Sequence, residues 1–270
     1  MRKPNEAQPT VTNAAFDPRQ HRTQPLELAG RVIAITGANR GIGKAVALAC
    51  AAAGAQVVLI GRNVAALEQV HAQIVQCAAA LPLPQPQPLI APLDLEKALA
   101  RDYDSLANAL HERFGRLDGL VNNAGLLGTL APIEHADVPT WCRVLHVNLT
   151  AAFALTQVLL PALRQSADAS VLFTSSSVGR IGKAYWGAYA VSKFGIEGLT
   201  QVLASELETT NIRVNTLNPG GTRTDMRRQA YPSEDLQRLP DPATVTGSYI
   251  ALLGPGARGI TGRSFDCEPL

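Results

Sequence analysis

A hydroxyl, a phenol and an amine fall within eighteen residues of one another, at Ser176, Tyr189 and Lys193. The run Tyr189-Ala190-Val191-Ser192-Lys193 leads into the helix-friendly stretch Phe194 to Glu208, which sets Tyr189 and Lys193 at i and i+4 on one helical face. An ammonium beside a phenol favours the phenolate, and so draws its pKa down from about 10 towards the range where a general acid or base works. Ser176 precedes a loop carrying Gly179, Gly182 and Gly187, and returns beside Tyr189 only if that loop doubles back. Tyr and Lys at this spacing also occur on ordinary solvated helices, so the surrounding elements have to decide between the two readings.

Those elements alternate. Arg31 to Thr36 is a short β-branched run; Gly37-Ala38-Asn39-Arg40-Gly41-Ile42-Gly43 is a glycine turn; and Ala45 to Ala53 has the apolar pattern of a helix. Glycines 37, 41 and 43 let the backbone turn tightly and let a pyrophosphate reach the N–H groups of a helix start, whose dipole favours anions. A second strand, Gln56 to Ile60, completes a βαβ unit, although the GxxxGxG spacing differs from the GxGxxG dinucleotide fingerprint. At the end of that strand an acid would meet a 2′-hydroxyl, whereas this chain has Gly61-Arg62, with Arg40 in the turn. Two guanidinium groups fit a 2′-phosphate, which favours NADP(H) over NAD(H).

A helix over Leu67 to Ala79 is followed by a proline-rich connector, Ala80 to Pro92, read as a stiff surface loop with a polyproline recognition segment as the alternative. The third strand closes at Asp94-Leu95, where the carboxylate can meet an adenine amino group. After a helix clearest over Tyr103 to Phe114, Leu117 to Val121 is the fourth strand. It ends in Asn122-Asn123-Ala124-Gly125, small enough to lie close to a ribose. Val138 to Leu163 reads as one long helix, broken only near its ends by Pro139 and Pro161. Asn148 in its interior has no helix preference to explain it, which suggests a hydrogen-bonding role. A fifth strand, Ser170 to Thr174, leads to Ser176, and a sixth, Arg213 to Leu217, leads to Asn218 through Thr224. The expected fold class is therefore α/β: a single-domain, Rossmann-like, doubly wound parallel sheet with helices on both faces and one ligand crevice at the carboxyl ends of the strands.

The composition of the 270-residue chain, 46% apolar and 17% charged with a formal net charge of +2, suits a globular domain able to bury a core. That charge is too mild to argue for nucleic acid, and no dense basic run is present. Cys50, Cys77, Cys142 and Cys267 are scattered without paired spacing or a histidine cluster, so no metal and no disulfide framework is expected, and reduced cytoplasmic thiols are the default. The most apolar stretch, Ala45 to Ile60, is too short and too interrupted for a membrane helix. Met1 to Gln24 is polar and carries three prolines, which gives a flexible tail over residues 1–25, disordered or draped over the surface, and a Rossmann-like domain over 26–270.

Taken together, TGANRGIG at Thr36 to Gly43, NNAG at Asn122 to Gly125, Asn148, Ser176, the Tyr189-x-x-x-Lys193 pair and the Pro219 to Thr224 run resemble the short-chain dehydrogenase/reductase family over roughly residues 28 to 267. The strings NAGLLG, FTSSSVGR, WGAYAVSKF and NPGGTRT resemble its YciK-type bacterial oxidoreductases. The resemblance implies that Tyr189 gives or takes the proton and that Ser176 holds the carbonyl oxygen. It implies too that Lys193 binds the nicotinamide ribose and lowers the Tyr189 pKa, that Asn148 holds a relay water, and that Thr222 and Thr224 meet the carboxamide. Ser175, Ser177 and Ser192 stand as alternatives to Ser176. The implied cofactor contacts are Gly37, Asn39, Arg40, Gly41, Ile42, Gly43, Arg62, Asp94, Leu95, Asn122, Ala124, Gly125, Tyr189, Lys193, Pro219, Gly220, Thr222 and Thr224. A small carbonyl or alcohol substrate and a homodimer or homotetramer, packed through the helices at 138–163 and 189–208, follow from the same resemblance. The rival reading is a non-catalytic NADP(H)-binding regulator, which has no need of a proton donor. Arg227, Arg228 and Arg238 lie in a short lid after Thr224, where they either attract an anionic substrate or are simply solvated.

Overall fold

The computed structural model describes residues 16–78 and 86–267. Each aliphatic run becomes a strand: β1 Val32–Thr36, β2 Gln56–Gly61, β3 Leu89–Pro92, β4 Gly119–Asn122, β5 Ala169–Thr174, β6 Ile212–Asn218 and β7 Ser264–Asp266. Their order in the sheet is β3-β2-β1-β4-β5-β6-β7, every neighbour parallel. The central strands are buried along their whole length, because a parallel sheet is covered on both faces, and for that reason they read as continuous rather than alternating apolar runs. The order reverses between β1 and β4, and a ligand crevice opens where crossovers leave in opposite directions.

One face is covered by α1 Gly41–Ala52, α2 Val64–Ala78 and α8 Thr246–Leu253, around Val46, Cys50, Leu67, Val70 and Tyr249. The other is covered by α3 Ala100–Phe114, α5 Ala151–Arg164 and α6 Gly187–Glu206, around Tyr103, Leu155, Leu159, Phe173 and Ile196. Away from the crevice, the Asp168 carboxylate is held by Arg213 Nε at 3.0 Å and by Arg31 Nη1 at 3.3 Å, which ties β6 to the start of β1.

Three sequence expectations change, and one of two readings of the tail is favoured. The third strand ends at Pro92 rather than at Asp94-Leu95, so those two residues belong to the turn beyond it. The long helix is α4 Val138–Leu145, a π turn at His146–Thr150 and then α5, which runs on through Pro161. Within the described part of the tail, the segment around Phe16 and Pro18 is draped on the domain, while residues 22–25 are exposed. There Phe16 meets Phe265 edge-on at 5.9 Å, and Ser248 Oγ donates to the Pro18 carbonyl at 3.4 Å, because Phe16 and Pro18 find apolar cover against α8 and β7. Among the described residues, Val138–Arg164 is long and apolar enough to cross a membrane, where the sequence alone points to Ala45 to Ile60 as the most apolar stretch and too short; Leu155, Leu159 and Leu163 turn fully into the core, which accounts for its apolarity. Residues 80–85 of the proline-rich connector lie outside the described residues.

Candidate active site

A cavity of about 530 Å3 runs along the carboxyl ends of the strands, from the glycine turn to α6 and the lid. Its floor at one end is the turn between β1 and α1. Gly43 is required there by close approach: a Cβ would stand 2.3 Å from the Gly37 carbonyl oxygen and 2.5 Å from Asn123 Nδ2. Asn123 Nδ2 in turn donates to the Thr36 carbonyl at 3.1 Å, which binds the glycine turn to the end of β4. No side chain caps the start of α1, so its first N–H groups face the cavity lined by Gly37, Asn39, Arg40, Gly41 and Ile42. An open helix start with this backbone is suited to a pyrophosphate.

At the far end the serine loop does double back. Gly179 makes this possible, because a Cβ there would fall 2.7 Å from Lys193 Cβ and 2.9 Å from the Lys193 carbonyl carbon. Ser176 then stands beside Tyr189 on the same cavity wall, near enough for its hydroxyl to act on the phenol's ionisation. The rival serines are committed elsewhere: Ser175 Oγ donates to Glu197 at 2.5 Å, Ser192 Oγ donates to the Tyr189 carbonyl at 2.7 Å, and Ser177 is exposed on a short 3-10 turn. Lys193 Nζ donates to the Thr174 carbonyl at 2.7 Å and lies 5.6 Å from the Tyr189 ring centre.

The ionisation of this pair departs from expectation. Burial pushes the Tyr189 phenol up to about 12, with the Ser176 hydroxyl acting the other way. Burial also brings the Lys193 ammonium down to about 8, against the attraction of the Glu197 carboxylate. The lysine directs its hydrogen bond to a backbone carbonyl instead of the phenol, and withdrawal from water outweighs its influence on Tyr189.

Asn148 sits in the π turn, 2% exposed, behind the cavity wall. Its Oδ1 accepts from Leu126 N at 2.7 Å, while its Nδ2 donates to the Leu126 carbonyl at 2.9 Å and to Ser192 Oγ at 3.0 Å. These contacts clamp the loop after NNAG to α6. A π turn inserts one residue into the helical ladder and commonly marks a functional site.

Of the proposed cofactor contacts, Asn39, Arg40, Arg62, Asp94, Leu95, Ala124, Gly125, Pro219, Gly220, Thr222 and Thr224 line the cavity beside Gly37, Gly41, Ile42, Tyr189 and Lys193. Gly43 contributes packing beneath the turn. Asn122 does not reach the cavity: its side chain turns towards α5 and donates to Thr156 Oγ1 at 3.0 Å, while its neighbour Asn123 lines the crevice. Strand alternation decides which of the two asparagines faces the ligand. Thr224 caps the lid helix α7 Asp225–Ala230 by accepting from Arg227 N at 3.2 Å. Sequence reasoning missed Asn63 and Glu96 near the arginines, and Trp186 and Met226 at the lid.

The arginines also have partners that the sequence did not reveal. Arg40 Nη1 lies 3.3 Å from Asp225 and Arg62 Nη1 lies 3.2 Å from Glu96, both as exposed pairs. In the lid, Arg227 pairs with Glu234 at 2.5 Å, Arg238 with Asp235 at 3.4 Å, and Arg228 stands 4.0 Å from Asp225. The lid therefore presents balanced charge rather than a cationic face, because its acids lie within helical or turn reach of its arginines. Between lid and Tyr189 the wall is apolar, made by Leu127, Trp186, Met226 and Ala230, with Trp186 edge-on to Tyr189 at 5.7 Å.

A nucleotide-sized crevice on a doubly wound sheet, with Ser, Tyr and Lys converging at one end, is the site of a nicotinamide-dependent oxidoreductase class, and residues 31–235 match the family model for short chain dehydrogenases. The chain belongs to the short-chain dehydrogenase/reductase family. It is 46% identical to the oxidoreductase YciK of Escherichia coli K12 over 239 residues, 88% of this chain and 92% of that protein. A short-chain dehydrogenase structure from Pseudomonas syringae superposes with a TM-score of 0.89 at 50% identity, covering 94% of this chain and 99% of that one. Another from Escherichia coli CFT073, complexed with NADPH, superposes at 0.87 with 45% identity, covering 91% and 100%.

Proposed function

We propose that this protein transfers hydride between NADP(H) and an uncharged carbonyl or secondary alcohol, with Tyr189 as general acid or base. The observation that carries the reading is the return of Ser176 to the Tyr189 phenol, beside Lys193, in the same crevice as the glycine turn. The bound nicotinamide supplies the hydride. The chain's own residues bind and orient. The start of α1 takes the pyrophosphate, Arg40 and Arg62 the 2′-phosphate, Asp94 and Leu95 the adenine, Ala124, Gly125 and Lys193 the ribose, and Pro219, Gly220, Thr222 and Thr224 the nicotinamide end. Ser176 holds the substrate oxygen and Tyr189 moves the proton. A phenol held protonated through the neutral range is ready to donate, which suits reduction.

The balanced lid and the apolar wall support an uncharged substrate over a carboxylate or phosphate. The test is a screen of ketones, aldehydes and 3-oxoacyl thioesters, with carboxylated analogues, using NADPH and NADH in parallel. NADPH-dependent reduction of uncharged ketones is expected. Preference for the carboxylated analogues would defeat the substrate reading, and tight NADPH binding without turnover of any carbonyl would favour the regulator. Four cysteines scattered along the chain without paired spacing suit a reducing, cytoplasmic setting.

We also propose self-association through α5 and α6. Val191, Phe194 and Val202 are 46%, 44% and 54% exposed at helical spacing on α6, with Phe153 exposed at 43% on α5. So much apolar surface at that period is a face awaiting a partner. Gel filtration is expected to show a dimer or tetramer, and Phe194→Glu to shift it towards monomer; a wild-type monomer at working concentration removes the proposal.

A further inference from the structure

The polar side chains beneath the site form one connected group that the proton-transfer reading leaves unused. Its centre is Glu197, 7% exposed, one helical turn beyond Lys193 on α6. Its Oε1 accepts from Ser175 Oγ at 2.5 Å and from Arg180 Nε at 3.1 Å; its Oε2 accepts from Thr216 Oγ1 at 2.9 Å and from Ser264 Oγ at 2.5 Å. Arg180 continues the chain, donating from Nη1 to Asp266 at 2.8 Å and from Nη2 to the Phe265 carbonyl at 2.9 Å. Asp266 accepts from Asn218 Nδ2 at 2.7 Å, and Asn218 Oδ1 accepts from Gly220 N at 3.1 Å. One carboxylate thus joins the residue before Ser176, the loop after it, strands β6 and β7, and the turn that carries Gly220 and Thr222.

A buried carboxylate is costly unless it is fully paired, and this one has a donor for each of four lone-pair directions. Packing alone is met more cheaply by an apolar side chain. The position suggests what the charge adds. Lys193 is buried and faces few charged or titratable groups: Tyr189 and Glu197 on its own helix, with the neutral Asn148 amide and the Thr174 carbonyl from the π turn and β5. Arg180 and Asp266, from the serine loop and β7, reach it only through Glu197.

We infer that Glu197 is a positioning residue of the active site, whose carboxylate fixes the Ser176 loop against α6 and keeps the Lys193 ammonium charged in its buried setting. The inference rests on the oxidoreductase reading above. Charge on Lys193 is lost as pH rises, so wild-type kcat/KM for reduction falls along an alkaline limb set by that loss. The Glu197 attraction opposes the effect of burial on Lys193. Removing it moves the limb to lower pH, and an opposite charge at close range is worth roughly one unit or more.

The experiment measures kcat/KM and the NADPH dissociation constant against pH for three variants. Glu197→Gln keeps the shape, and the Thr216 and Ser264 hydroxyls can turn to accept from its amide. Ser264→Lys, at an exposed edge position, leaves the carboxylate in place and sets a cation against it, so the inference is still tested if Glu197→Gln does not fold. Thr216→Val removes a contact but no charge. The alkaline limb is expected about one pH unit or more lower in Glu197→Gln, lower by less in Ser264→Lys, and unmoved in Thr216→Val. Unmoved limbs in the two charge variants, or an equal displacement in Thr216→Val, overturn the inference. Absence of any carbonyl turnover in wild type defeats the oxidoreductase reading instead, and the same limb is then read from NADPH affinity.

Discussion

Tyr189→Phe is expected to lower kcat by about 10²–10⁴-fold, the range a positioned general acid contributes, while NADPH affinity stays within about two-fold of wild type. The substitution removes one hydroxyl. The ring keeps its place against Trp186 and Ala190, and Lys193 keeps its bond to the Thr174 carbonyl. Because the proton moves only as the hydride does, kcat and kcat/KM should fall together. Ser176 borders the cavity, where water can stand in for the lost hydroxyl. Stopped-flow turnover with a ketone from the screen, beside nicotinamide fluorescence titration, separates chemistry from binding. Wild-type turnover in this variant would remove Tyr189 from the mechanism.

Replacing both Arg40 and Arg62 by alanine is expected to cut the preference for NADPH over NADH by about 100-fold, with about ten-fold from each alone. A hydrogen bond to a charged group contributes about 1.5–3 kcal/mol, and tenfold corresponds to about 1.4 kcal/mol. The pairs that these arginines make with Asp225 and Glu96 are exposed, worth at most about 1 kcal/mol, and are readily exchanged for a phosphate. In the double variant Glu96 keeps Arg143 at 3.0 Å and Asp225 keeps Arg228 at 4.0 Å, so the loss falls on the phosphate contacts. Dissociation constants for both cofactors decide the matter: equal weakening of NADH and NADPH would mean that the arginines support the turn rather than the phosphate.

Much of this architecture was legible because its signals are local. Continuous β-branched runs mark strands buried on both faces, and a strand followed by glycines and an apolar helix pattern marks the dinucleotide turn. Tyr189 and Lys193 share a face at i, i+4 whatever the tertiary context. Other features had no local signal. Nothing in the Val138 to Leu163 pattern distinguishes a continuous helix from one with a π turn at Asn148, since one inserted residue shifts the apolar period only slightly. Phe16 and Pro18 look like tail composition until α8 and β7 stand beside them.

The sequence alone carried the α/β fold class and the shared face of Tyr189 and Lys193, because spacing along helices and strands is fixed by backbone geometry, while its motifs carried the resemblance to the family. Only the tertiary structure decided which asparagine of the pair 122–123 faces the crevice, since that depends on the side of the sheet each presents. It alone brought Asp225 and Glu96 to the arginines and gathered Ser175, Arg180, Thr216 and Ser264 around Glu197, contacts between elements up to 185 residues apart. It also reversed the expected ionisation of Tyr189. Whether a phenol beside a lysine is pulled down or pushed up depends on how much water both have lost and where the lysine proton points. Burial is a property of the assembled fold, not of spacing.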